Sequence, residues 1–467
     1  MKPTYIKKML IFTICFAIML FAGSSSCEKI EEPDPSITDA DYNAKVYLKK
    51  EYMDVYYYWY KYVPTGVDVT KYDIYDYFDA LLYSKDRWSW MMNKDDYVSS
   101  ETGVVSGTYG ASISQPIEYY NDYEIKVRYV YPNSPFAKEG VTRGWTLTHI
   151  AGTPVIDLIK SETFNTQYST SPQTFTFRDL LGKNHTFTVS AATSLSTKSY
   201  LCVQVFDNDD YEGLTAPVGY FNYLSFKAGM LEDIDNAMAT FSSAGIKNLI
   251  LDLRYNGGGD SRASQLLINY LAPKSADNEV YVKRTHNDKL SSHDVSSKII
   301  RNTGSLNLDN LYVITGHGSA SASEMVLNGL KPLMNVINVG DTTYGKPNGM
   351  YVLFYPADDA SYVKYDKEDY TDLKYVFLPI CFYNSNKLGE NIPDDGFVPV
   401  NYRPDDLYHD FTVDEDNIKA CLNHIVNNTY PNLPAKTKTI TKPSGKKISL
   451  SEEDTNPNYG IYTVPKR

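Results

Sequence analysis

Ser321 sits in Gly318-Ser-Ala-Ser-Ala-Ser-Glu324, a run of small residues between the strand-like Leu311–Ile314 and an apolar, helix-like stretch. A Ser with Glu three residues later is a capping box, and that alone accounts for the pair. The same placement suits nucleophilic chemistry. A hydroxyl at a helix start is exposed, and the adjacent N–H groups and positive dipole end stabilise a nearby oxyanion. Lys346 follows twenty-five residues later in Thr343-Tyr-Gly-Lys-Pro347, where a lysine would ordinarily face solvent in a turn. If buried, its amine would give up its proton more readily and could accept one from a serine. A third segment, Asp252-Leu-Arg-Tyr-Asn-Gly-Gly-Gly259, comes directly after an apolar strand pattern. Its glycines either make a flexible turn or let bare N–H groups approach a ligand at the strand end, where open α/β sheets bind. His317 lies four residues before Ser321, but a triad base comes from a different part of a fold, so a packed or solvent-facing loop histidine is expected.

These segments fall in a stretch where strands and helices alternate. Val218–Leu224, Asn248–Leu253, Leu311–Ile314 and Val336–Val339 read as strands, with helical spacing over about 228–244, over Ala263–Leu271 and from Ser321 to about Leu333. The expected fold class is α/β: a catalytic core over residues 193–430 with a partly parallel sheet covered by helices. Before it, residues 101–192 are β-rich. Pro132-Asn-Ser-Pro-Phe-Ala-Lys-Glu-Gly140-Val-Thr-Arg-Gly144 resembles the middle of a PDZ domain, although Trp145 stands where Asp is usual. Tyr109, Gly110, Ala111, Ser112 and Ile113 would then be the loop that takes a peptide's terminal carboxylate, with the peptide added as a strand. Residues 40–100 are expected to be a small Tyr-rich helical domain. Tyr52, Tyr56, Trp59, Tyr60, Tyr75, Phe78, Leu81 and Leu82 lie at helical spacing on two helices broken at Pro64-Thr-Gly66, and form a core or a sugar-stacking surface.

Together the three segments resemble the C-terminal processing (tail-specific) peptidases, exported serine peptidases with a PDZ domain beside an α/β core. The resemblance covers about residues 40–430 and includes Asp86-Arg87-Trp88-Ser89 near the end of the helical region. It implies that Ser321 is the nucleophile and Lys346 the general base, with the backbone N–H groups of Gly258 and Ala322 as oxyanion hole. Two positions depart from the family's pattern. Met350 replaces a Gln that orients the base, and a thioether cannot bond as an amide does. Gly257 replaces a Pro, which loosens the loop without removing a donor.

The rest of the chain bounds the setting. Lys2, Lys7 and Lys8 precede an apolar run from Met9 to Ala22, of a length suited to an export signal and short for a bilayer. Gly23-Ser-Ser-Ser-Cys27 resembles a bacterial lipoprotein cleavage site, with Cys27 as the lipidated N-terminus; ordinary signal cleavage is the alternative. Residues 1–26 thus read as signal peptide, 27–39 as an acidic Pro-rich tether and 431–467 as a C-terminal tail. The expected location is the bacterial cell envelope, as an outer-membrane or periplasm-facing lipoprotein anchored through Cys27. The 467 residues carry a formal charge of −12 and no Lys/Arg run, which argues against nucleic acid. Five Cys without a CxxC pair argue against structural zinc, and no metal or other cofactor is expected. The expected partners are polypeptides with free C-termini. The rival expectation is a catalytically inactive peptide- or glycan-binding protein on the same scaffold.

Overall fold

The computed structural model describes residues 41–114, 117–119, 122–356 and 372–433, with side chains omitted at 101 and 115–123. The segments expected to be signal peptide and tether, Cys27 included, and nearly all of the expected C-terminal tail lie outside the described residues. No helix among the described residues is long and apolar enough to cross a membrane.

The central sheet has six strands lying side by side in chain order: β1 (Tyr200–Phe206), β2 (Val218–Tyr223), β3 (Asn248–Asp252), β4 (Asn310–Thr315), β5 (Val336–Gly340) and β6 (Asn401–Tyr402). β1 pairs antiparallel with β2, and every later pairing is parallel. Both faces are buried, which is why these strands read as continuous apolar runs. On one face Leu249, Leu251, Leu311 and Val313 pack against helices α1 (Leu231–Ala244), α2 (Ser261–Leu271) and α3 (Ala322–Leu330). On the other, Ile250, Tyr312 and Ile314 meet Ile418, Cys421 and Leu422 of α4 (Asp416–Asn427). In α1 the buried positions are Ile234, Ala237, Met238 and Phe241, spaced by three and four; Gly245 closes the helix at φ 66.

Residues 111–189 contain a seven-stranded antiparallel sheet with its own core of Phe136, Leu147, Ile150, Phe175 and Phe177. Ala111–Ile113 is an edge strand there, paired on one side with Asp122–Val130. This unit is joined to the α/β core by buried charge. Arg143 donates to Asp405 Oδ1 at 2.6 Å, and Asp405 also accepts from Arg254 at 3.0 Å. Arg254 is bonded in turn to Asp252 and Glu415, so each buried cation has carboxylate partners.

The N-terminal region differs from the two helices expected. It holds a short helix (Tyr42–Tyr47) running into a π-helical turn (Leu48–Met53), a 3₁₀ turn (Tyr60–Tyr62) and a helix at Ile74–Ala80. Most of the aromatic side chains are core, but shared core: Tyr52, Tyr57, Phe78 and Leu81 pack with Leu353, Phe377, Ile380 and Phe382 from the far end of the chain. Helical spacing therefore reflected packing against strands whose existence is a tertiary fact. Those strands form a four-stranded sheet (Val295–Lys298, Val280–His286, Ile380–Ser385, Asn348–Met350) and a three-stranded one (Trp90–Asn93, Tyr375–Leu378, Leu353–Tyr355) that wall the site.

Candidate active site

Ser321 lies between β4 and α3 with φ 55 and ψ −111, backbone values that an L-residue adopts only when its surroundings impose them. A serine on a strained strand-to-helix turn presents its hydroxyl outward. The other two serines of the run are consumed structurally. Ser319 Oγ donates to the Leu253 carbonyl at 2.7 Å, and Ser323 Oγ donates to the Asn256 carbonyl at 2.8 Å. Both are fully buried, whereas Ser321 is half-buried and lines a cleft of about 230 Å³. The spacing of Ser-Ala-Ser-Ala-Ser thus stitches the turn to the Gly-rich loop on two sides and leaves the middle hydroxyl facing the cleft.

Lys346 lines the same cleft and is 3% exposed. Burial pushes its amine down to about 8, against the opposing pull of Asp86 and Glu324. The Met350 Sδ lies 3.8 Å from Lys346 Nζ. The lysine's backbone is placed by the Asp86-Arg87-Trp88-Ser89 segment: the Trp88 indole and an Arg87 nitrogen each donate to the Gly345 carbonyl at 3.2 Å. Asp86 accepts from the Trp88 and Ser89 N–H groups and from Tyr57 OH, which fixes that turn.

One residue joins the Ser321 and Lys346 segments. The Glu324 carboxylate, fully buried, accepts from Ser321 N–H and Lys346 N–H with Oε2, each at 2.9 Å. Its Oε1 accepts from Gly345 N–H at 2.8 Å and Thr343 Oγ1 at 2.6 Å. Burial raises its pKa and the four donors pull it back. The sequence showed the capping half of this role, Glu324 to Ser321. The half that reaches Thr343, Gly345 and Lys346 crosses between elements and has no local signal.

Gly258, expected to supply an oxyanion donor, already has a partner for its N–H. Its N–H donates to Asn256 Oδ1 at 2.9 Å, inside the loop rather than into the cleft. Gly257, Gly258 and Ala322 all line the cleft, so an acyl oxygen would take the Gly258 N–H by displacing Asn256 or use the N–H groups of the other two. Ala322 opens α3, where backbone donors have no intrahelical acceptor. Gly258 is still demanding: at φ +105, a Cβ there would lie 2.8 Å from the Ala320 carbonyl oxygen and 2.9 Å from Ser321 Cβ. His317 is exposed and outside the cleft lining, its ring tilted against Tyr344. Tyr109, Gly110, Ala111, Ser112 and Ile113 are all buried and none lines this cleft. The Gly110 N–H donates to Thr108 Oγ1, and the Tyr109 and Gly110 carbonyls accept from Phe136 and Tyr131. Among the described residues no cluster of His, Cys, Asp and Glu is arranged to hold a metal ion.

Comparison with known proteins agrees with this geometry. Residues 217–377 match the family described as Peptidase family S41, and residues 50–90 match the Peptidase S41 N-terminal domain. The chain is 32% identical over 136 residues to carboxyl-terminal-processing peptidase 3, chloroplastic, of Arabidopsis thaliana, covering 29% of this chain and 25% of that protein. It is 28% identical over 147 residues to the carboxy-terminal processing protease CtpB of Bacillus subtilis, covering 32% and 28%. The chain therefore spans little more than a quarter of the length of these relatives. Among solved structures, a protein assigned as an S41 protease from Bacteroides fragilis superposes with a TM-score of 0.64 at 22% identity, over 82% of this chain and 97% of that one; at that identity the likeness speaks for the fold. Residues 217–377 thus carry a domain of peptidase family S41, preceded over residues 50–90 by that family's N-terminal domain, and the structure brings the Ser and Lys motifs to one cleft.

Proposed function

We propose that this protein is an exported serine endopeptidase that cleaves unstructured or C-terminal segments of polypeptides with a Ser321–Lys346 dyad. The observation that carries the reading is a lysine 3% exposed with its amine pushed down to about 8, facing the same cleft as a serine held at φ 55. In the proposed cycle, neutral Lys346 takes the Ser321 hydroxyl proton as Oγ attacks the scissile carbonyl. The oxyanion is stabilised by the Ala322 N–H and a donor of the Gly257–Gly258 loop. Lys346 then gives that proton to the departing amine. Water, deprotonated by Lys346, releases the acyl group and regenerates the serine. Anchoring through Cys27 and capture of a peptide end by the Tyr109–Ile113 strand belong to this proposal as well. For the latter, the buried loop must open, or only the free edge of Ala111–Ile113 is used.

The inactive, peptide- or glycan-binding alternative rests on one observation, the Met350 thioether where a base-orienting amide would stand. The test is incubation of residues 28–467 and the Ser321→Ala variant with a pool of unstructured peptides, read by mass spectrometry. Cleavage by the first alone supports the peptidase; retention without cleavage by either, with both folded, favours the alternative. A second expected result concerns the loop. Gly258→Ala should lower kcat/KM by roughly a hundredfold, because its Cβ pushes on the Ser321 turn and displaces an oxyanion donor. Unchanged peptide turnover in that variant would show that the loop does not take part.

A further inference from the structure

The cleft that Ser321 and Lys346 share is also lined by a polar pair that the proposed dyad does not use. In the four-stranded sheet Arg284 lies directly opposite Asn384, so both side chains leave the same face; Phe382 lies two residues along. All three line the Ser321–Lys346 cleft. The guanidinium carbon sits 4.1 Å from the Phe382 ring centroid, which covers one face of the fork and leaves its edges available. Arg284 Nε and Asn384 Oδ1 are both buried without a hydrogen-bond partner, an arrangement native proteins seldom leave unfilled. Among the described residues no carboxylate pairs with Arg284, in contrast to Arg143 and Arg254, which are matched by Asp405, Asp252 and Glu415. The other charged groups lining the cleft besides Lys346 are Lys227, Arg262 and Asp260, and Asp260 is already bonded to Arg262. A chain of formal charge −12 thus surrounds its candidate active site with cations.

We propose that Arg284 and Asn384 form a carboxylate-reading subsite of the cleft, selecting polypeptides that present an acidic side chain or a C-terminal carboxylate close to the scissile bond. The guanidinium takes the carboxylate through two parallel N–H···O bonds, and Asn384 Oδ1 accepts a neighbouring peptide N–H of the substrate. Both orphaned groups are thereby satisfied by one extended ligand. The inference rests on the peptidase reading above for its substrate class.

The test uses the protein and its Arg284→Gln and Arg284→Lys variants with matched peptides. In these, Glu and Gln are exchanged at each position near the cleaved bond, and the C-terminus is free or amidated. A charged hydrogen-bonded pair predicts a preference of about ten- to a hundredfold in kcat/KM for the carboxylate at one position. The side-chain and terminal arms identify its source. Arg284→Gln should bring that ratio close to one, and Arg284→Lys should retain part of it, since it keeps the charge without the fork. Equal cleavage of all pairs by the wild type, or a preference that survives Arg284→Gln, overturns the subsite and leaves the peptidase reading standing. If the wild type cleaves nothing, the peptidase reading falls instead. The same peptides are then compared for binding to Ser321→Ala with and without Arg284→Gln, and an equal affinity for Glu and Gln forms overturns the subsite.

Discussion

Lys346→Met should leave a folded protein without measurable turnover that is nevertheless more stable than the wild type at neutral pH. The first half follows from the proposed chemistry: a general base contributes roughly a hundred- to ten-thousandfold, and Met has no proton acceptor of use. The second half follows from burial. The amine titrates near 8 in the fold and near its ordinary 10.5 when unfolded, so between those values the unfolded chain binds more protons. Stability therefore rises with pH across that window, and below it the native state carries the full penalty, roughly 3 kcal/mol. Methionine, close to lysine in shape, removes the penalty together with the activity. In the wild type, kcat/KM should climb as pH rises and level off above about 8, as the lysine loses its proton. Thermal melts and pH–rate profiles of the two proteins decide the matter. A Lys346→Met variant less stable than wild type, or a wild-type rate that falls through pH 8, would mean the amine is charged and paired in the fold.

The Ser and Lys motifs were legible because glycine, small residues and a lone lysine stand where strands end, and the chain's period-2 and 3.6-residue patterns locate those ends. β2 to β5 and α1 to α3 lie within a few residues of their sequence-based positions for the same reason: buried parallel strands and one-sided helices carry strong patterns. What the sequence did not disclose is how residues distant in the chain close the site. Tyr57, Arg87 and Trp88 read as members of a separate helical unit, yet Arg87 and Trp88 hold the Gly345 carbonyl, and Tyr57 and Trp88 share a core with Phe377 and Ile380. Arg284 and Asn384 were silent because each is one polar residue in an ordinary strand, and only pairing of strands a hundred residues apart sets them side by side. The Gly258 donor could not be assigned from spacing either. The direction of an N–H in a glycine run depends on which neighbour bends back, and here Asn256 does.

Glu324 gives the other large effect. Glu324→Ala would leave the N–H groups of Ser321, Gly345 and Lys346 and the Thr343 hydroxyl without their acceptor in a buried site. Each such loss costs about 1–3 kcal/mol before relaxation, so a net destabilisation of roughly 3–5 kcal/mol is expected. With the Ser321 N–H released, the turn keeps only the Ser319 and Ser323 stitches on either side of it, and relaxation of Ser321 from φ 55 toward an ordinary backbone conformation would turn the hydroxyl away from Lys346. A residue acting only as a helix cap would cost about 1 kcal/mol and leave catalysis alone. Glu324→Gln separates the two roles. Glutamine keeps the shape and one acceptor oxygen but turns an NH2 toward two of the four donors, so either the Ser321 and Lys346 N–H groups, which share Oε2, or the Gly345 N–H and Thr343 hydroxyl, which share Oε1, lose their acceptor. If Glu324 positions both catalytic groups, Glu324→Gln lowers kcat by roughly a hundredfold or more while KM changes little, because the rest of the cleft still holds the peptide. Wild-type kcat in a Glu324→Gln protein that has lost stability would assign the residue to the helix cap and leave Lys346 to be placed by Arg87 and Trp88 alone.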